Sequence, residues 1–156
     1  MRQMNYTLKS TEKGLLNGDD LCFFYYDVFN INEESVTNIF EWDDEITSYL
    51  DEQKLKMEEC DKQQMPNEYQ DNKLFFTIDS SKESKSQAFL RHLRNAFAHM
   101  NIQREGDYYL LKDKSGSTST TMIGKIKCQC LKKVCFLLLG QREEVYTNIE
   151  KSDIIK

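Results

Sequence analysis

The chain has 156 residues, 39% hydrophobic and 12% aromatic, with a formal net charge of −5. That length supports one hydrophobic core and not two, and nine Phe with eight Tyr exclude a chain too polar to fold. The longest apolar runs, 21–26 and 134–139, are far shorter than the ~18 residues of a membrane span, and no basic-then-apolar leader opens the chain, so a single domain over 1–156, cytoplasmic and with no membrane partner, is expected.

Gly14 and Asn17-Gly18 are loop signals. Asp19 and Asp20 then offer caps for a helix whose Leu21, Phe24, Tyr25 and Val28 share one face, with the cluster Phe23 to Tyr26 serving core and dimer packing. Asn32 and Ser35 open a second predicted helix, with Val36, Ile39, Phe40, Ile46, Tyr49 and Leu50 at helical spacing. Its other face is acidic (Glu41, Asp43, Asp44, Glu45, Asp51, Glu52) and reads as a solvated surface. Residues 51–73 lack apolar periodicity and read as a frayed helix end and a loop; 73–78 is a strand or an extended plug, which periodicity does not decide.

The clearest pattern follows. Ser80-x-x-Glu83 has the form of a capping box, and Phe89, Leu90, Leu93, Ala96, Phe97 and Met100 recur at one-face spacing, which predicts a helix over about 81–103 that stops near Gly106. At about 100° per residue the apolar arc spans roughly 120°. Arg94 falls past one edge and His99 past the other, with Arg91, Asn95 and Ala98 between them, facing away from the core. A small residue at the centre of that polar face, Ala98, allows another chain to approach closely. Beyond it, about 107–127 reads as a hairpin: a strand at 108–112, a flexible loop from Asp113 to Thr121, and a returning strand at 122–126. A last core helix over about 128–140 carries Leu131, Val134, Cys135 and Leu138 on one face and ends at Gly140.

Leu93-Arg94-Asn95-Ala96-Phe97-Ala98-His99 resembles the Arg-x-x-x-x-His motif of HEPN-domain ribonucleases. The match extends to the preceding Phe-Leu-x-x-Leu, and to the hairpin and amphipathic helix that follow, covering about 80–140. The resemblance implies a mainly α fold, a HEPN-like bundle of four to five helices with a small β-hairpin after the motif helix. It also implies a homodimer that cleaves RNA without a metal or other cofactor, of the toxin or antiphage-defence type, with an antitoxin or other regulatory protein as a further partner. In one toxin subgroup a Tyr follows the His by two residues and is modified by the antitoxin; here Asn101 stands in that place, so that form of control is not implied.

The chemistry suits these residues. An imidazole near pKa ~6.5 exchanges protons at neutral pH. Guanidinium offers permanent planar donors to phosphate oxygens. Arg94, Asn95 and His99 are therefore the catalytic candidates, with Asn95 holding a phosphate oxygen or fixing the His99 tautomer. Arg91, His92 and Lys85 are candidates for RNA binding, and His92 is also the alternative second proton carrier. One motif supplies one well-placed His while the reaction needs an acid and a base, which a two-fold dimer with facing motif helices provides. Residues 81–142 carry a balance of +8 against −11 for 1–80, which points to an anionic partner or to attraction between the halves. Five cysteines without a Cys-x-x-Cys pair, and only two histidines, make a zinc site a poor fit. The competing reading is a non-catalytic HEPN-like dimeric module that binds RNA, a nucleotide or a protein through the same basic face.

Overall fold

The computed structural model describes residues 14–29, 40–79, 82–116 and 119–155, with side chains through 141. Helices α1 (Gly18–Cys22, continued by a π-helical stretch, Phe23–Phe29), α2 (Asp44–Glu52), α3 (Lys85–Ala98) and α4 (Cys128–Ile155) pack with a sheet of β1 (Lys56–Glu59), β2 (Lys73–Phe76), β3 (Ile102–Glu105), β4 (Tyr108–Ser115) and β5 (Ser119–Lys127). The strand order is β1-β2-β5-β4-β3; β1 and β2 run parallel, and every other pair is antiparallel.

Helix is the larger share, as the resemblance implies, but the small hairpin is the centre of a five-stranded mixed sheet. The two added edge strands escaped notice for a common reason. β1 (KMEE) buries only Met57 and β3 (IQRE) only Ile102, so neither alternates over enough residues to show period two. β1 lies in the stretch read as a loop, and β3 occupies residues assigned to the end of the motif helix. The 73–78 run resolves to a strand, β2. The hairpin strands are longer than expected, and Asp113 lies within β4 and not in the loop.

One sheet face is the core face. Leu74 and Phe76 of β2, Met122 and Ile126 of β5, and Tyr109 and Leu111 of β4 meet Phe24, Phe89, Leu90 and Leu93 of the helices there. Gly124 in the central strand sits opposite Leu74 on one side and Leu111 on the other. A Cβ there would lie 2.8 Å from both Leu74 Cα and the Lys73 carbonyl oxygen, closer than real side chains come to backbone. Gly124→Ala is expected to cost about 1–3 kcal/mol by forcing β2 away from β5; a denaturation midpoint equal to that of the wild type would refute this.

Asn17, read as a loop residue, caps α1: its Oδ1 accepts from Asp20 N at 2.9 Å and its N–H donates to Asp20 Oδ2 at 3.0 Å. Asp20 is fully buried and also accepts from Arg104 Nη1 (2.9 and 3.0 Å) and from the Tyr109 hydroxyl (2.6 Å), tying α1 to β3 and β4. Burial and this bond to Asp20 push the Tyr109 hydroxyl well above the usual phenolic range, so it remains a donor. The π-helical turn shifts the wheel expected for this segment: Phe23, Phe24 and Val28 go inward, while Tyr25 is exposed.

The expected helix start at Asn32 and Ser35 lies outside the described residues. α2 begins later, capped by Asp43, whose Oδ1 accepts from Ile46 N at 3.0 Å. α4 does not end at Gly140 but runs through it. Beyond that glycine the Gln141 amide bonds the backbone of Glu41 from both sides (2.7 and 2.9 Å), which offsets the ~1 kcal/mol that a glycine costs a helix interior.

Candidate functional site at the end of the motif helix

α3 is bounded by two local signals. Ser84 is its N-cap, with Ser84 Oγ accepting from Gln87 N (3.1 Å) and Gln87 Oε1 accepting from Ser84 N (2.8 Å). The box thus falls four residues after the one expected at Ser80, which lies outside the described residues. Glu83, expected to complete that box, instead grips Arg91.

At the other end His99 is the C-cap. Asn101 N–H donates to Ala96 O (2.8 Å) and Met100 N–H to Phe97 O (3.0 Å), the paired bonds of a Schellman turn. Met100 therefore adopts φ +58 and is 88% exposed, where the periodicity had placed it in the core, and the helix does not continue through Asn101 and Gln103. The left-handed position costs a non-glycine residue roughly 1–2 kcal/mol. Met100→Gly is expected to raise stability by about 1 kcal/mol, read as a higher midpoint in urea; a lower one would show that the Met side chain contributes where it now projects into solvent.

Between these ends the wheel divides cleanly. Ala88, Phe89, Leu90, Leu93 and Ala96 are buried. Arg91 and Arg94 are half-buried, and Asn95, Ala98 and His99 are exposed. The catalytic candidates Arg94, Asn95 and His99 thus lie together on the last turn and a half of α3, beside an open Ala98.

The three RNA-binding candidates fare differently. Arg91 is held by Glu83 through Nε (3.1 Å) and Nη2 (2.9 Å), with Asp79 3.5 Å from Nη2, so carboxylates already occupy much of its donor edge. Lys85 lies over the Trp42 ring, 4.6 Å from its centre, about 20 Å along the axis from His99. Burial lowers its ammonium, with Glu58 and Glu59 acting against that.

His92 is the correction of most consequence: expected at the surface, it is 0% exposed. Its Nδ1 lies 2.7 Å from Asp113 Oδ2 and its Nε2 2.8 Å from the Thr77 carbonyl oxygen. The two ring nitrogens thus face acceptors from β4 and from the end of β2, and the imidazole bridges them. Arg91 Nη2 sits 3.3 Å from the same Nε2. Sealed in this way, His92 has no path to an RNA phosphate or to solvent water, and its role is to bolt α3 to β4 and to the end of β2. Asp113 is 3% exposed, its other oxygen accepting from Lys114 N at 2.9 Å where the β4–β5 register shifts. The sequence hides the pair because Asp113 adjoins the Ser/Thr/Gly stretch that predicts a loop. Its signal is the strand phase: Tyr109, Leu111 and Asp113 alternate inward.

Above this anchor opens a cavity of about 360 Å³ between the ends of β1 and β2, the β4–β5 turn and the α3 flank. Arg91 and Asn95 form its helical wall, the buried Thr77, Thr121 and Asp113 its floor, and Glu59, Asp61, Lys62 and Lys114 its mouth. Cys60 also lines it, but burial raises that thiol, which makes it a poor nucleophile. Among the described residues no group of three or more His, Cys, Asp or Glu is placed to hold a metal ion, and no helix is long and apolar enough to cross a membrane.

Comparison with known proteins gives one family. A family model described as HEPN pEK499 p136 matches residues 22–152, from α1 to the last turns of α4. No curated protein matches the chain, and no solved structure does.

Proposed function

The chain belongs to the HEPN pEK499 p136 family, and from that premise we propose that it is a metal-independent endoribonuclease acting as a homodimer. The family supports an RNA-associated, toxin-like role in general terms. The observation that carries the finer reading is the outer end of α3, whose last turns carry a half-buried Arg94 and an exposed Asn95, Ala98 and His99.

In the proposed reaction His99 of one protomer takes the proton of the RNA 2′-OH as that oxygen attacks phosphorus. His99 of its partner gives a proton to the departing 5′-oxygen. The two Arg94 guanidiniums neutralise the equatorial oxygens as charge builds on them, and Asn95 holds the phosphate or orients the imidazole. Burial of His92 strengthens the case for two copies, because one chain then exposes a single proton-transfer group. The same fact favours the second reading: a lone chain with one exposed His suits a non-catalytic module that binds RNA. A toxin or antiphage-defence role, with an antitoxin or other regulatory partner, follows at the level of the family.

Purified protein incubated with single-stranded RNA in EDTA is expected to leave 2′,3′-cyclic phosphate and 5′-OH ends. Cleavage that requires Mg²⁺ overturns the mechanism, and RNA bound but never cut selects the binding module. The dimer has its own test. Ala98 points away from the Phe89, Leu90 and Leu93 side of the helix, so in Ala98→Arg the new side chain meets the partner and not the core. Two like charges across the two-fold axis add repulsion. The dimer population and cleavage should fall together with the circular dichroism spectrum unchanged. A variant that sediments as a dimer with full activity would remove the shared cleft.

A further inference from the structure

The cavity beside the motif shares one residue with the cleavage site proposed above, Asn95, which stands in its wall one helical turn from His99. Its volume is within the range of small-ligand pockets. Its floor is polar, formed by the buried Thr77, Thr121 and Asp113, with Thr77 Oγ1 3.4 Å from His92 Nε2. Arg91 stands over one side with much of its N–H edge saturated by Glu83 and Asp79. A guanidinium pinned in this way has little left for a phosphate, but it still presents a flat, rigid face on which a planar ring stacks.

The mouth carries Glu59, Asp61 and the exposed Asp79 against Lys62 and Lys114, so it has no positive surplus to attract an anion. Rigid plane, polar floor and carboxylate-bearing mouth together describe a planar ligand that carries no negative charge and donates hydrogen bonds. Building on the RNA-cleaving reading, we propose that this cavity receives one base of the RNA, stacked on Arg91, beside the phosphate held at Arg94 and His99. Carboxylates at the mouth accept from exocyclic amino groups. The base taken is therefore amino-bearing, adenine, guanine or cytosine, in preference to uracil, which offers a carboxylate no amino group.

The test is a titration of full-length wild-type protein with GMP, CMP and UMP in EDTA, followed through the amide resonances of Thr77, Asn95 and Thr121. GMP or CMP should bind about tenfold more tightly than UMP. Arg91→Lys keeps the positive charge facing Glu83 but loses the plane, and should weaken binding about tenfold. Asp61 is exposed, so Asp61→Asn should leave the melting temperature unchanged while narrowing the preference over UMP. Equal binding of the three nucleotides, shifts remote from the cavity, or Arg91→Lys binding as the wild type overturns the proposal. In parallel, mapped RNA cuts should fall beside the base that binds best. Nucleotides that bind while cut sites ignore the neighbouring base would assign the cavity to a free nucleotide and overturn the RNA reading. RNA cleavage by a protein whose cavity takes no nucleotide overturns this inference and leaves the nuclease standing. RNA held uncut with the same base order keeps the cavity and removes the nuclease.

Discussion

His99→Ala is expected to lower RNA cleavage by about 10²–10⁴-fold, the contribution of a positioned acid or base, and in the symmetric dimer both roles are lost at once. The loss should be confined to chemistry. His99 is exposed at the C-cap, and what holds the end of α3 is the pair of backbone bonds from Met100 and Asn101, which an alanine at 99 leaves intact. The melting temperature and RNA affinity should therefore stay near those of the wild type while turnover collapses. Arg94→Ala should also weaken binding, since that guanidinium faces the phosphate in the ground state as well as the transition state. Mixing His99→Ala protomers with Arg94→Ala protomers sharpens the test, because a composite cleft in a heterodimer retains one intact copy of each group. Partial recovery in the mixture supports two chains per site. His99→Ala turning over RNA at the wild-type rate would dispose of the mechanism.

What was legible in the sequence follows from how much pattern each element contains. α3 shows five buried apolar positions in one arc, and Asn95 and Ala98 are exposed as the wheel predicts because they point opposite that arc. Its ends are not where the pattern predicts, because the expected signals compete with better ones nearby. Ser84 and Gln87 make the box that caps the helix, and a left-handed Met100 stops the helix where a glycine would have announced the stop. The edge strands failed for lack of length, Met57 and Ile102 being the lone inward side chains of β1 and β3. His92 failed for a different reason. Its wheel position lies beside Phe89 and Ala96, inside the buried arc, but polarity was taken to outweigh geometry. A histidine is buried readily once acceptors meet both nitrogens, and the second acceptor, Asp113, comes from 21 residues away across the sheet. No local pattern contains such a partner. The cavity depends on the same long-range meeting of β1, β2, the β4–β5 turn and α3, and is equally invisible in one dimension.

That buried pair sets the second large effect. His92→Leu is expected to destabilise the fold by about 3–5 kcal/mol, because it leaves the Asp113 carboxylate, 3% exposed, without the imidazole that meets its Oδ2. The cost is that of an abandoned charge more than of a lost attraction, and this distinction can be measured. Asp113→Val combined with His92→Leu removes both polar partners and fills the space with apolar atoms, so the double variant should be more stable than His92→Leu alone. The Thr77 carbonyl still loses its donor, and Lys114 N its acceptor, which keeps the double variant below the wild type. Urea midpoints for the wild type, His92→Leu, Asp113→Val and the double variant close the cycle. Asp113→Asn serves as the milder probe where a single variant fails to fold, since the amide oxygen still accepts from one imidazole nitrogen. Costs that simply add would show that the two side chains act independently and that α3 is held to the sheet by the apolar contacts of Phe89 and Leu93 alone. A strongly non-additive cycle, with cleavage lost in step with stability, would place this buried bond among the supports that keep Asn95 and His99 in position.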